Sequence, residues 1–206
     1  MAGPLDRDIY LASRSPRRRE LLTQIDVRYR LLLFRAHPGR EVDVNENPLP
    51  GEAPGAFVER VARIKAETGW ATLRQRNLPR APVLAADTTV AVEGHILGKP
   101  LDRQEASSML SALSGRRHEV LTAVALKNDD RLDSVVSISE VAFKKLGEEE
   151  IRRYVASGEC DDKAGAYAIQ GRAARFITEL RGSYSGVMGL PLYETGELLQ
   201  HLGSKP

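Results

Sequence analysis

Leu11-Ala12-Ser13-Arg14-Ser15-Pro16-Arg17-Arg18-Arg19-Glu20-Leu21-Leu22 reads as the end of a buried strand, a tight Ser-Arg-Ser turn and the first turns of a helix. Ser15 is a favoured N-cap residue, and Pro16 suits the first helical position, where its missing N–H costs nothing. Leu21, Leu22 and Ile25 then supply an apolar face at helical spacing. Unpaired backbone N–H groups and the positive end of the helix dipole face outward from such a turn, among Arg14, Arg17, Arg18 and Arg19. That is a place to hold several negative charges at once, such as a polyphosphate. An arginine run alone also describes a solvated basic helix start, so the rest of the chain has to decide.

The chain has 206 residues, 42% of them hydrophobic and 28% charged, which fits one domain over residues 1–206 with a substantial core. Net charge is only +2, so the basic residues are a local feature. Aromatics make up 5%, too few for a base-stacking platform on single-stranded nucleic acid. No apolar run approaches the ~20 residues a membrane span needs, and Met1 to Asp8 carries no apolar signal core. A single Cys160 excludes an intramolecular disulfide. The expectation is a cytoplasmic α/β protein without a membrane partner.

Working outward, Ile9 to Ala12 is a short apolar strand. Val27 to Phe34 alternates, with Val27, Tyr29, Leu31 and Leu33 against Arg28, Arg30 and Leu32. Prolines and glycines from Arg35 to Gly55 predict a long loop, which carries Glu41, Asp43 and Glu46 close to the arginine turn. The spacing predicts a helix over Ala56 to Arg76, with Phe57, Val61, Ile64 and Thr68 sharing a face. A buried strand follows from Pro82 through Val92, with a hairpin turn at Glu93-Gly94-His95. Asp102 caps a helix through Leu113, and Glu105 completes a capping-box pair. Glu119 to Leu126 and Ser134 to Phe143 form a strand pair around Asn128-Asp129-Asp130-Arg131. A helix from Glu148 to Ser157, a small-residue run from Lys163 to Gly171 and a strand from Phe176 to Leu180 come next. A flexible turn at Gly182 to Gly186 and a helix from Leu192 to Leu202 complete the chain. The mixture, with an antiparallel hairpin, predicts a mixed sheet in an α/β fold.

Asp87 ends an apolar strand, in Leu84-Ala85-Ala86-Asp87-Thr88-Thr89. A carboxylate there is expensive unless it faces a cleft or pairs with a cation. It suits a general base for an attacking water, or a ligand to a divalent ion; an Asp that merely caps a turn would read the same. Lys65 and Lys99 are surface lysines unless they converge on one anion. Gln170 carries both a donor and an acceptor, which complements the carbonyl and N–H on the edge of a uracil or thymine ring. A packed strand with its Gln in solvent fits those letters too. His37, His95, His118 and His201 lack ligand spacing, so zinc is not expected, and the available oxygen ligands suit magnesium or manganese. There is no Walker motif, no dinucleotide fingerprint and no Gly-x-Ser-x-Gly elbow.

Taken together, these motifs resemble those of the Maf family, septum-formation-inhibitor-like nucleoside triphosphate pyrophosphatases. The residues that carry the resemblance are Leu11-Ala12-Ser13 with Ser15-Pro16-Arg17-Arg18 and Glu20-Leu21-Leu22; Glu46 before Pro48-Leu49-Pro50-Gly51-Glu52; Lys65-Ala66; Ala86-Asp87-Thr88; and Lys99-Pro100. Asp162-Lys163-Ala164-Gly165-Ala166-Tyr167, Ile169-Gln170-Gly171, Gly182-Ser183-Tyr184 and Gly189-Leu190-Pro191-Leu192 extend it through nearly the whole chain. The resemblance implies an inosine-triphosphatase-like mixed α/β fold, with two lobes around a deep cleft. It implies cleavage of a nucleotide between its α and β phosphates, a divalent cofactor (Mg2+ or Mn2+) and a homodimer. Arg17, Thr88 and Gln170 match the branch that prefers dTTP and UTP, which differs there from the branch acting on 7-methyl-GTP. By the same correspondence Asp87 is the proton acceptor, and Ser13, Arg18, Glu46, Lys65 and Lys99 contact polyphosphate or metal. Glu46 and Asp87 are the metal ligands so implied, and for Asp87 the roles of base and ligand compete. Arg14 departs from the pattern, standing where a small residue is usual. The rival reading is a non-catalytic nucleotide-sensing or nucleic-acid-binding regulator of cell division. Near-neutral charge and few aromatics oppose it, so no stable nucleic-acid partner is expected.

Overall fold

A computed structural model describes residues 8–34 and 44–202. Its centre is β3 (Val83–Val92), a strand buried at every position but two. Along one edge β3 pairs antiparallel with β5 (Arg117–Asn128), which pairs with β6 (Arg131–Phe143), and β6 pairs with β7 (Ile177–Arg181). On its other edge β3 lies parallel to β1 (Ile9–Leu11), which is parallel to β2 (Tyr29–Leu31). Further along that edge, β4 (His95–Leu97) folds back antiparallel through the turn at Glu93 and Gly94. The order is β2-β1-β3-β5-β6-β7 with β4 beside β3, a mixed sheet as the sequence predicts.

Alternation along the sheet decides which helix covers which face. Val83, Ala85 and Ala91, with Leu121, Ala123 and Ala125 of β5, pack under α2 (Pro54–Gln75). Leu84 and Ala86, with Val124 and Leu126, face α1 (Pro16–Gln24) and α6 (Leu192–His201). Val90, Val92, Val120 and Val141 join α3 (Arg103–Leu113) and α4 (Glu148–Ala156) in a third group. Each fully buried Val or Leu contributes roughly 1.5–3 kcal/mol. A one-residue slip of β3 would therefore exchange all of these contacts at once.

The detail that positions the site is an opening in the sheet. The last β3 partner of β1 is Leu84, and β4 joins the same edge only from Val90. Between them no described strand covers β3, and the two incompletely buried residues there are Asp87 and Thr88.

Several local expectations change. The strand expected over Val27 to Phe34 is reduced to Tyr29–Leu31. Its alternation fails because Leu32, past the strand end, donates its N–H to the Leu11 carbonyl and buries itself under α2. Leu31 and Leu33 are left 43% and 44% exposed. Within α2 the buried stripe runs through Val58, Val61, Ala62, Ala66 and Gly69, while Ile64 is only partly buried. The turn expected to be flexible becomes α5 (Tyr184–Met188), because the Ser183 hydroxyl caps it by accepting from the Gly186 N–H at 3.0 Å. Phe176 belongs to a 3-10 turn, Arg172–Phe176, and not to β7. The Asp102 cap stands as expected: its carboxylate accepts from the Glu105 N–H at 2.8 Å, and the Glu105 carboxylate accepts from the Leu101 N–H. Glu41, Asp43 and His37 lie outside the described residues.

Candidate active site

The open edge of β3 looks into a cleft of about 800 Å3. Ser13, Arg17, Arg18, Glu46, Lys65, Asp87, Thr88, Lys99 and Gln170 all line it. Side chains scattered from residue 13 to residue 170 therefore share one space. Arg14 also borders the cleft, donating to the Phe34 carbonyl at 2.9 Å, whereas Arg19 does not reach it.

One wall is an interlocked set of acids and lysines. Asp87 points to the α2 side of the sheet, where Lys65 meets it. The Lys65 ammonium lies 2.7 Å from Asp87 Oδ1 and 2.8 Å from Glu46 Oε1. Lys99 approaches the other Glu46 oxygen at 3.6 Å. The Lys65 and Asp87 side chains are 12% and 13% exposed, so their attraction is little screened by water. Burial alone would push the Glu46 carboxyl up, but Lys65 and Lys99 outweigh it and hold it below the usual carboxylate value.

The facing wall is the arginine turn. Ser15 occupies the N-cap position of α1, yet its hydroxyl makes no cap. Its N–H instead donates to Ser13 Oγ at 3.2 Å. No side chain therefore caps the first turn of the helix. Arg18 donates from Nε to the Gly189 carbonyl at 2.7 Å, from Nη1 to Ser13 Oγ at 3.3 Å and from Nη2 to Thr88 Oγ1 at 3.2 Å. None of these acceptors is a carboxylate. Burial pulls the Arg18 guanidinium below its ordinary value, with Asp87 opposing and Arg17 reinforcing. Burial likewise lowers Arg17, with Glu20 opposing. Like charges brought together without a bonded anion attract one from outside.

Lys163 belongs with that wall, although the sequence reading assigned it no role. It lines the cleft and donates to the Asp161 carbonyl at 2.9 Å. Its pKa is lowered by burial and then by Arg17. The small residues after it explain the placement. Gly165 has φ +64°, and a Cβ there would meet Val90 at 2.9 Å, so only glycine lets this segment lie against β3. The Gly165 N–H donates to the Gly98 carbonyl at 3.0 Å, tying the segment to the strand exit that carries Lys99.

Gln170 is exposed at the cleft, and the turn after it is anchored by Glu159, also missed from sequence. Glu159 accepts from the Arg172 and Ala173 N–H groups at 3.0 and 3.4 Å and from the Tyr154 hydroxyl at 3.1 Å. Tyr167, in the same segment, is held from beneath by buried His118, whose Nε2 lies 2.8 Å from the tyrosine oxygen. Burial pushes His118 down to about 4, so it is neutral at physiological pH.

Among the described residues no three or more His, Cys, Asp or Glu side chains form a metal-binding cluster. The oxygen donors available are the paired carboxylates of Glu46 and Asp87, which already converge on one cation, the Lys65 ammonium. A few hard carboxylates completed by water and substrate phosphates are the usual donor set for Mg2+, so the residues present fit such an ion. Among the described residues no helix is long and apolar enough to cross a membrane.

Comparison with known proteins adds to this geometry. Residues 8–202 match a family model described as Maf-like protein. The chain is 58% identical to the dTTP/UTP pyrophosphatase of Aromatoleum aromaticum, over 97% of this chain and 98% of the relative. It is 54% identical to the protein of that name from Dechloromonas aromatica, over 96% and 98%. For the Nitrosomonas europaea protein, also named dTTP/UTP pyrophosphatase, identity is 53% over 98% of each chain. Among solved structures, the Ham1 protein of Staphylococcus aureus superposes with a TM-score of 0.49 at 15% identity, covering 95% of this chain and 97% of that one.

Proposed function

The chain belongs to the Maf family, and on that footing we propose that it hydrolyses dTTP and UTP to the monophosphate and pyrophosphate. The observation that carries the reading is the placement of Asp87 at the open edge of β3, between Lys65 and a wall of cations without bonded carboxylates. The names of its relatives support the same substrates.

In this reading the triphosphate lies along the arginine wall. Arg17 and Lys163 meet its oxygens, and Arg18, held by Gly189, Ser13 and Thr88, adds its charge and its two remaining N–H groups. Asp87 orients a water toward the α phosphorus and takes its proton, while Lys65, 2.7 Å away, keeps the carboxylate aimed. Lys99 helps neutralise the departing pyrophosphate. Glu46 and Asp87 would hold the divalent cation, which when bound supplies positive charge to the phosphoryl oxygens. Gln170 and Thr88 read the pyrimidine edge, with Arg17 near the base or sugar. The family resemblance further supports a homodimer in the cytoplasm; light scattering should return twice the chain mass.

The test is to incubate the protein with each common nucleoside triphosphate and Mg2+ and to assay pyrophosphate. Release from dTTP and UTP, with none from purine triphosphates, is the expected result. No release from any nucleotide, together with tight duplex binding, would replace this reading with a non-catalytic regulator.

A further inference from the structure

Thr88 and Thr122 are directly paired on β3 and β5, and their hydroxyl oxygens lie 2.9 Å apart. Thr122 is fully buried, and its hydroxyl donates to the Gly186 carbonyl of α5 at 2.7 Å. A hydroxyl has one proton and two lone pairs, so the single Thr122 proton is committed. The proton between the two threonines must therefore come from Thr88. Arg18 Nη2 donates to the same Thr88 oxygen at 3.2 Å. Thr88, which lines the cleft, is left with its proton turned inward and one lone pair uncommitted.

We propose that Thr122 is a positioning residue for substrate selection: it fixes the Thr88 hydroxyl so that the cleft meets a lone pair and not a proton. A ligand atom that meets Thr88 must then bring a hydrogen. A phosphate oxygen or a ring nitrogen lone pair would face lone pair against lone pair. The inference rests on the reading that a pyrimidine nucleotide occupies the cleft. With ring N3 as the atom that meets Thr88, uracil and thymine bring a hydrogen there and cytosine a lone pair, so the fixed threonine favours the first two over the third. Selection of this kind comes from a buried hydroxyl that touches no substrate.

The experiment compares kcat/KM for UTP and CTP in the wild type, Thr122→Val and Thr122→Ser. Valine keeps the shape of threonine but removes the acceptor for the Thr88 proton, freeing that proton to turn toward the cleft. The UTP:CTP ratio should fall by about tenfold or more in Thr122→Val, the worth of roughly one hydrogen bond, and Thr122→Ser should restore it. A merely structural role would lower both substrates together; an unchanged ratio in Thr122→Val, whatever its absolute rate, overturns the proposal. If the valine variant does not fold, Thr122→Ala is judged by the same ratio. Wild-type protein that fails to turn over UTP removes the pyrimidine reading and this inference with it. Wild-type preference for UTP that survives in Thr122→Val removes the inference alone.

Discussion

Lys65, lodged between Asp87 and Glu46, and Arg18, lodged among the oxygens of Gly189, Ser13 and Thr88, are two cations on opposite walls of one cleft. Both are largely withdrawn from water, and each is held by more than one partner. The difference lies in the partners' charge. Lys65 is neutralised locally, so what it fixes is the position of the Asp87 carboxylate. Arg18 is solvated by neutral oxygens, so its charge remains as a field in the cleft, reinforced by Arg17 and Lys163. Counting basic residues cannot distinguish these situations; the partners of each can. The wall with balanced charge suits chemistry on a water, and the wall with unbalanced charge suits holding an anion.

The sharpest way to break this division is Asp87→Asn, which keeps shape and removes the proton acceptor. Turnover should fall by about a thousandfold, within the range for a lost general base. Nucleotide affinity, measured by equilibrium binding, should stay near the wild-type value. If affinity and turnover fell together, the two walls would not be separable.

A second test lies beneath the cleft and calibrates the others. His118 is neutral in the fold, its pKa lowered by burial from the ordinary 6.5 to about 4. Between those values the unfolded chain binds a proton that the native chain does not, so stability falls as pH drops through that window. The loss should total about 3 kcal/mol, read by urea unfolding at a series of pH values. His118→Gln should remove that slope. Because His118 contacts Tyr167 rather than either charged wall, the kinetic constants at pH 7 should change little.

Arg18→Lys retains charge but cannot reach three separate acceptors. It should raise KM by about ten- to thirtyfold, with a smaller change in kcat; a fall confined to kcat would assign Arg18 to the reacting wall. The smallest effect is expected of Lys163→Met, with a rise in KM of roughly three- to tenfold, shrinking as salt is added because its charge is only partly shielded. No effect on KM would remove Lys163 from the arginine wall.

What the sequence disclosed depended on how far apart the interacting groups are along the chain. The strand, turn and helix from Leu11 to Leu22 and the Asp102–Glu105 capping pair are decided within a few residues, and both appear as expected. Even locally, Ser15 was the right residue for the wrong reason, since it is the Ser13 oxygen that takes up a free N–H. Leu32 escapes a period-two reading because β2 ends one residue earlier and Leu32 packs into the core under α2. The residues lining the cleft were each ambiguous alone, and only their joint resemblance to one family gathered them. Nothing local announces that Lys65 will lie against Asp87, that β1 and β4 will leave the β3 edge open between them, or that Thr122 will hold the Thr88 hydroxyl. Thr122 in particular is one polar letter in an otherwise apolar stretch of β5, and its meaning exists only through a carbonyl in α5.

The claim that the arginine wall holds the triphosphate while Asp87 delivers water to the α phosphorus is tested most directly by hydrolysing UTP in 18O-labelled water with Mg2+ and weighing both products. The account predicts the label in the monophosphate and unlabelled pyrophosphate. Label in the pyrophosphate, or release of orthophosphate in place of pyrophosphate, would contradict it.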